Sequence, residues 1–301
     1  MRKVFVLSSF VVAFLAMNIF LPIASADWDE SDMPWTKWVQ RPDLNQGVDV
    51  NATYLLDSSY SGPYPPGPAP IYPWNKILAD DFPCDKPGPI SDIHIWGSWL
   101  EDRVAPNVYF KLSIHDDVPV GPGNPYSHPG AELWSTIMSP TAYRLWYEPT
   151  NEYFYEPNTD RIIGTDTQIW QYNFDIDPAN AFYQEGIDPL TGMPRVYWLD
   201  VQAIIPEPPP PPPTPPEDPY PPPQYVFGWK STDQPWNDDA VFADTDMPGG
   251  PPIGPWVDMW HPLTGQSLNL AFAITTIPEP GTIVMLLTAC FIGLVTFLRR
   301  R

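Results

Sequence analysis

Residues 108–115 read Val108-Tyr109-Phe110-Lys111-Leu112-Ser113-Ile114-His115, and their alternation decides the fold class. Val108, Phe110, Leu112 and Ile114 fall on one side of an extended chain and Tyr109, Lys111, Ser113 and His115 on the other, which is the period of a strand buried on one face. The pattern recurs at Trp170, Tyr172, Phe174 and Ile176 against Gln171, Asn173 and Asp175. It recurs again at Leu268, Leu270, Phe272 and Ile274 against Ser267, Asn269, Ala271 and Ala273. Weaker strands are expected at residues 90–100, 143–147, 196–205 and 225–230, separated by turn clusters such as Gly121-Pro122-Gly123-Asn124-Pro125. One short helix is expected, with Asp177 as N-cap, Pro178 in its first turn and Gly186 as its stop. About seven strands with long turns predict an all-β fold, an antiparallel β-sandwich of jelly-roll or lectin-like type.

Composition allows such a core. The 18 Gly and 44 Pro are about a fifth of the 301 residues, below the ~25–30% at which low-complexity disorder becomes the default. Fourteen Trp, 15 Tyr and 14 Phe carry far more apolar area than a disordered chain does. Acidic residues number 36 against 15 basic ones, and five of the basic residues (Arg2, Lys3, Arg299, Arg300 and Arg301) stand at the two ends. The acidic body between them lacks the clustered Lys and Arg that displace counterions, which argues against nucleic acid as a partner.

Both ends read as addresses. Arg2 and Lys3 precede an apolar stretch at 4–20 and a small-residue site at Ala24 and Ala26, so residues 1–26 read as a signal peptide cleaved after Ala26. Residues 282–298 form an unbroken apolar run at the short limit for a transmembrane helix, followed by Arg299, Arg300 and Arg301. The positive-inside rule puts those arginines in the cytoplasm and the acidic body outside. Pro278, Glu279, Pro280 and Gly281 stand immediately before the run. The order of this motif, a short apolar helix and a terminal Arg cluster resembles the PEP-CTERM sorting signal of Gram-negative, often biofilm-forming bacteria. The resemblance covers residues 278–301. It implies export by the secretion machinery, removal of the leader by signal peptidase, a temporary membrane tether, and processing by a membrane-embedded exosortase.

The domain between them is expected to span residues 27–277. Residues 206–223 contain 13 prolines among 18 residues and favour polyproline II. A linker between two domains is one reading. A stiffened loop within one sandwich is preferred, because the roughly 54 residues that follow before the sorting signal make a marginal domain alone. Ala79-Asp80-Asp81-Phe82, residues 90–100, residues 197–203 and residues 236–241 are similar to an uncharacterised extracellular domain of bacterial proteins that end in PEP-CTERM or dockerin modules. That resemblance lies on both sides of the proline run and implies location rather than chemistry. Cys84 is the one cysteine of the body, since Cys290 lies in the apolar run, so no disulfide is expected there.

No catalytic residue stands out. The protease, hydrolase and nucleotide motifs are missing, and with 36 acids spacing cannot select a glycosidase pair from Glu132, Glu148, Glu152, Glu156 and Glu185. His94 and His115 would share a metal with Asp92 or Asp116 only if their strands formed a hairpin; two exposed histidines on a sheet are the preferred reading. Asp238, Asp239, Asp244 and Asp246, with Asn237 beside them, are candidate calcium ligands on one loop, although without EF-hand spacing. Trp96 and Trp198 have the opposite parity to the core positions and are expected to face outward as platforms for sugar rings. The expectation is an exported cell-surface or matrix component that binds or organises exopolysaccharide and is not an enzyme. The alternative is a secreted polysaccharide-active enzyme. A binding module should present an aromatic strip on one sheet, and an enzyme two carboxylates in a cleft with pKa values pushed apart.

Overall fold

A computed structural model describes residues 27–57, 75–148, 151–189, 191–207 and 223–276. Its strands are β1 (Thr36–Gln40), β2 (Val48–Asn51), β3 (Thr53–Asp57), β4 (Lys76–Pro83), β5 (Gly88–Ile90), β6 (Asp92–Trp99), β7 (Tyr109–Val118), β8 (His128–Met138), β9 (Ala142–Tyr147) and β10 (Glu152–Glu156). They continue with β11 (Arg161–Asp166), β12 (Ile169–Asp175), β13 (Phe182–Gln184), β14 (Val196–Glu207), β15 (Phe227–Thr232), β16 (Val241–Asp244), β17 (Ile253–Asp258), β18 (Asn269–Leu270) and β19 (Phe272–Thr275). The fold is all-β.

A ten-stranded sheet runs β1-β19-β6-β15-β2-β10-β11, with β12 on the other edge of β6 and β9 beyond it. A seven-stranded sheet runs β17-β16-β4-β14-β7-β8, and β3 shares an edge of β14 with β4. Most ladders are antiparallel, as expected, but β2 with β10 and β3 with β14 are parallel. Residues 48–57 run from the first sheet into the second through Ala52, so one segment stitches the two together.

The alternation at 108–115 plays out as expected on one face. Phe110, Leu112 and Ile114 join Leu199 and Val201 of β14 in one core cluster with Ile93, Ile95, Phe174, Phe272 and Ile274 of the larger sheet. Phe110 touches the rings of Tyr172, Phe174 and Phe227, with centroids 5.1–5.2 Å apart, and Phe82 meets Phe272 at 5.9 Å, so aromatic rings bridge the sheets. The other face departs from expectation. Every residue of β4 and of β6 is buried, because further segments cover the outer face of each sheet.

Three expectations are corrected here. Trp96 and Trp198 do lie opposite the main core, yet both are fully buried. Trp96 sits among Trp28, Trp146, Ala271 and Ala273, and Trp198 among Ile77, Ala79, Val241 and Trp256. Neither is a platform. The helix expected from Asp177 does not form: the Asp177 carboxylate accepts from Ala179 N–H, the chain makes one turn, and Phe182–Gln184 becomes β13 paired with β5. Finally, β6 and β7 belong to different sheets, so His94 and His115 share no hairpin.

Strands on both sides of the proline run occupy both sheets: β14 and β15 flank it, β16 and β17 join the smaller sheet, and β18 and β19 the larger. Residues 208–222 of that run lie outside the described residues, as do Ala24, Ala26 and the rest of 1–26. So do Pro278, Glu279, Pro280, Gly281, the apolar run 282–298 and Arg299–Arg301. No helix among the described residues is long and apolar enough to cross a membrane.

Candidate functional site

The outer face of the smaller sheet carries a polar groove. β7 turns Lys111, Ser113 and His115 away from the core, and its ladder with β14 sets Ser113 opposite Asp200 and Lys111 opposite Gln202. Residues 245–252 cross above them. Gly249 anchors this roof: its N–H donates to Gln202 Oε1 at 2.9 Å and its carbonyl accepts from Lys111 Nζ at 2.9 Å. Gly249 has φ of +65°, and a Cβ there would sit 2.9 Å from Ile137 Cδ1, so glycine lets the roof approach this closely. A groove of about 690 Å³ is left between roof and sheet.

Charges inside the groove are paired. His115 Nε2 lies 2.9 Å from Asp200 Oδ2 and Nδ1 lies 3.1 Å from the Gly130 carbonyl oxygen. Both ring nitrogens face oxygen atoms, an arrangement that favours the protonated ring. Burial opposes that charge, but the Asp200 carboxylate and the Gly130 carbonyl outweigh it and raise the His115 pKa. Burial likewise pushes the Asp200 carboxyl up. Glu132 behaves oppositely: burial acts against its charge, but Ser135 Oγ donates to it at 2.6 Å and Lys111 Nζ at 2.9 Å, and its pKa falls below the usual range. The groove therefore holds one carboxyl shifted up and one shifted down.

A second feature lies on β9, an edge strand of the larger sheet. Tyr143, Leu145 and Tyr147 occupy one exposed face of edge strand β9, level with Trp170 and Tyr172 of β12. The Tyr143 ring stacks on Tyr172, with centroids 5.8 Å and planes 22° apart. Tyr109 closes a cleft of about 190 Å³ beside them. These rings form an exposed aromatic strip, which the buried Trp96 and Trp198 do not. The sequence hid it because Trp146 and Tyr147 put aromatic residues on both parities of β9.

The expected calcium loop is dispersed. Asp244 lies 2.6 Å from Lys76 Nζ, Asp238 accepts from Asn237 Nδ2 at 2.9 Å, Asp239 turns toward Ser267 and Leu268, and at Asp246 the backbone carbonyl accepts from Tyr54. These four do not come together as a ligand set among the described residues. His94 is held between Asp92, 2.9 Å from Nε2, and the Asn173 side-chain oxygen, 2.7 Å from Nδ1. Cys84 is buried and free.

Segments quoted above for their resemblance meet in space. Asn237 Nδ2 donates to Asp81 Oδ2 at 2.5 Å, Leu270 N–H to Asp80 Oδ2 at 2.6 Å, and Trp198 Nε1 to Asp117 Oδ1 at 2.9 Å. Burial pushes Asp81 up to about 8. The pairing explains why acids stand in the middle of a fully buried strand: each receives donors from the segment packed over it.

Fold and groove together define an all-β protein of two large sheets with a polar site on the outer face of one. The chain belongs to the family described as Domain of unknown function (DUF7901), whose model matches residues 36–275. No curated protein and no solved structure is found to match it.

Proposed function

We propose that this is an exported component of the cell surface or extracellular matrix, delivered by its signal peptide and sorted through the PEP-CTERM signal at 278–301. In this reading the paired sheets act as a β-sandwich of jelly-roll or lectin-like type that binds a polysaccharide. The groove carries the reading. Its volume suits one or two sugar rings, and Ser113, Ser135, Glu132 and Lys111 offer hydroxyl, acceptor and donor groups of the kind that sugar hydroxyls satisfy. Its two basic side chains (Lys111, His115) match its two acidic ones (Glu132, Asp200), while the chain as a whole carries −21. That combination favours a neutral glycan over an anionic one.

The divergent shifts of Glu132 and Asp200 favour a second reading, a polysaccharide-cleaving enzyme. Binding of the purified protein to a panel of neutral and acidic polysaccharides separates the two when reducing-end release is followed in the same samples. Glu132→Gln and Ser135→Ala should each weaken glycan binding by about fivefold or more, in line with loss of one hydrogen bond to a charged or polar partner. Wild-type protein that binds no member of the panel, or variants that bind as tightly as wild type, would remove the groove from the argument. Release of reducing ends that Glu132→Gln abolishes would replace the binding reading with the enzymatic one.

A further inference from the structure

The outer face of the larger sheet holds a cluster that the polysaccharide reading does not use. Lys230 of β15 is fully buried, with Nζ 2.7 Å from Glu152 Oε1 and 3.4 Å from Asp49 Oδ2. Asp49 comes from β2 and Glu152 from β10, and Asp166, at the end of edge strand β11, is the ladder partner of Glu152. Ligand oxygens of the three carboxylates lie within 4.8 Å of one another, the one such group among the described residues. Three carboxyl groups face one ammonium in a region closed to water, and when all three are ionised they leave an excess of two negative charges.

The lone pairs tell the same story. Neither oxygen of Asp166, which is 2% exposed, meets a hydrogen-bond partner of proper geometry, and nor do Asp49 Oδ1 and Glu152 Oε2, although the Asp49 and Asp166 carboxyls lie close enough to share a proton. Ser98, a residue of a different strand and without charge, is fully buried beside Asp49, and its hydroxyl makes no hydrogen bond of proper geometry. Gly228 stands between them in the ladder, opposite Ser98 on one side and Asn51 on the other. A Cβ at Gly228 would lie 2.6 Å from Phe154 Cζ and 2.8 Å from Asp49 Cβ, so the glycine lets both side chains pack directly against β15. Unsatisfied buried oxygens of this number are costly unless something positive sits among them.

We infer that Asp49, Glu152 and Asp166, with the Ser98 hydroxyl beside them, coordinate one hard divalent cation, calcium foremost. Oxygens up to 4.8 Å apart match ligands placed ~2.3–2.6 Å from a common ion. The set contains no imidazole or thiolate, which disfavours zinc and copper. A divalent charge cancels the excess of two, and Lys230 then serves as a fixed counter-charge to Glu152 and Asp49. The other candidate for this space is a proton shared by the carboxylates, with Asp43 and Asp102 as the next nearest acids.

Protein stripped with chelator and titrated with calcium chloride by calorimetry in 150 mM salt distinguishes the two. One calcium per chain is expected, together with a melting temperature about 5 °C or more higher in 10 mM calcium, the shift for an extracellular-type site near saturation. Asp166→Asn should abolish both effects, while its melting temperature in chelator stays at or above that of the wild type, since the amide stays neutral where the buried carboxyl can ionise. Asn substitutions at both Asp238 and Asp239 should leave both effects intact. Hydrogen exchange on the wild type supplies a readout that needs no variant: calcium should slow exchange in β2, β10, β11 and β15 and not in residues 237–246. Absence of binding, calcium affinity unchanged in Asp166→Asn, or protection confined to residues 237–246 would overturn the site.

Discussion

Trp96 shows how much one residue's parity can and cannot reveal. Alternation along β6 correctly separates Trp96 from Ile93, Ile95 and Trp99, yet the same alternation says nothing of what covers the far side of a sheet. Here Trp28 stands 5.6 Å and Trp146 5.8 Å from the Trp96 ring, both edge-on, and they come from segments far away in the chain. A local pattern could not report that contact. Trp96→Ala is therefore expected to destabilise the protein by ~3–5 kcal/mol, the usual cost of truncating a buried Trp, measured by urea denaturation. Trp260→Ala is the control: that ring is half exposed, and its loss should shift the midpoint little. A Trp96→Ala variant as stable as wild type would mean that the outer layer does not close over β6. The tyrosines of β9 were equally illegible for the converse reason, since nothing in 143–147 reveals that the rest of the fold leaves them exposed.

At the scale of the element, strands with one apolar parity were legible and short-range signals were not. Phe110, Leu112 and Ile114 lie in the core as their spacing demands, and so do Tyr172 and Phe174 of β12 and Phe272 and Ile274 of β19. Asp177 and Pro178 carry a good helix-start signal, but a single capped turn there costs little and pairing of Phe182–Gln184 with β5 overrides it. The roof at 245–252 left no trace in the sequence beyond its glycines, and Gly249 makes it testable. Gly249→Ala must hold an L-residue at φ +65° and push against Ile137, so a loss of more than ~1–2 kcal/mol is expected, with faster amide exchange at position 249 as its bond to Gln202 weakens. Gly254→Ala imposes similar backbone strain at φ +82° with open space around it. It should cost less and leave exchange at 249 unchanged. Equal effects in the two variants would show that the roof does not press on the groove.

Across the whole molecule, buried acids set an uncommon pH dependence. In most proteins paired carboxylates have depressed pKa values and stability falls in acid. Here burial dominates: Glu152 is pushed up to about 7, Asp81 to about 8 and Asp166 to about 10, all three with help from neighbouring acids, and Asp49, Asp80, Asp92 and Asp200 move in the same direction. A carboxyl whose folded pKa exceeds its unfolded value binds more protons in the native state between those two values, so stability is present below the unfolded value and is lost as pH rises through the folded one. His94 and His115 are raised by their aspartate partners and act in the same sense. Glu132 and Asp29 are shifted down and oppose the trend, but both lie near the surface, where screening weakens them. Added to this, ionising further acids on a chain of charge −21 increases self-repulsion. In chelator at fixed ionic strength the melting temperature should therefore fall between pH 5 and pH 8.5, by about 3–5 °C per pH unit for each extra proton that the native state holds. Asp81→Asn keeps an oxygen facing Asn237 and removes one of those protons, so its slope over this window should be shallower and its stability at pH 8 no lower than that of wild type. A melting temperature that rises from pH 5 to pH 8.5 would mean that the buried carboxyls are ionised throughout, each held by a partner or an ion stronger than burial.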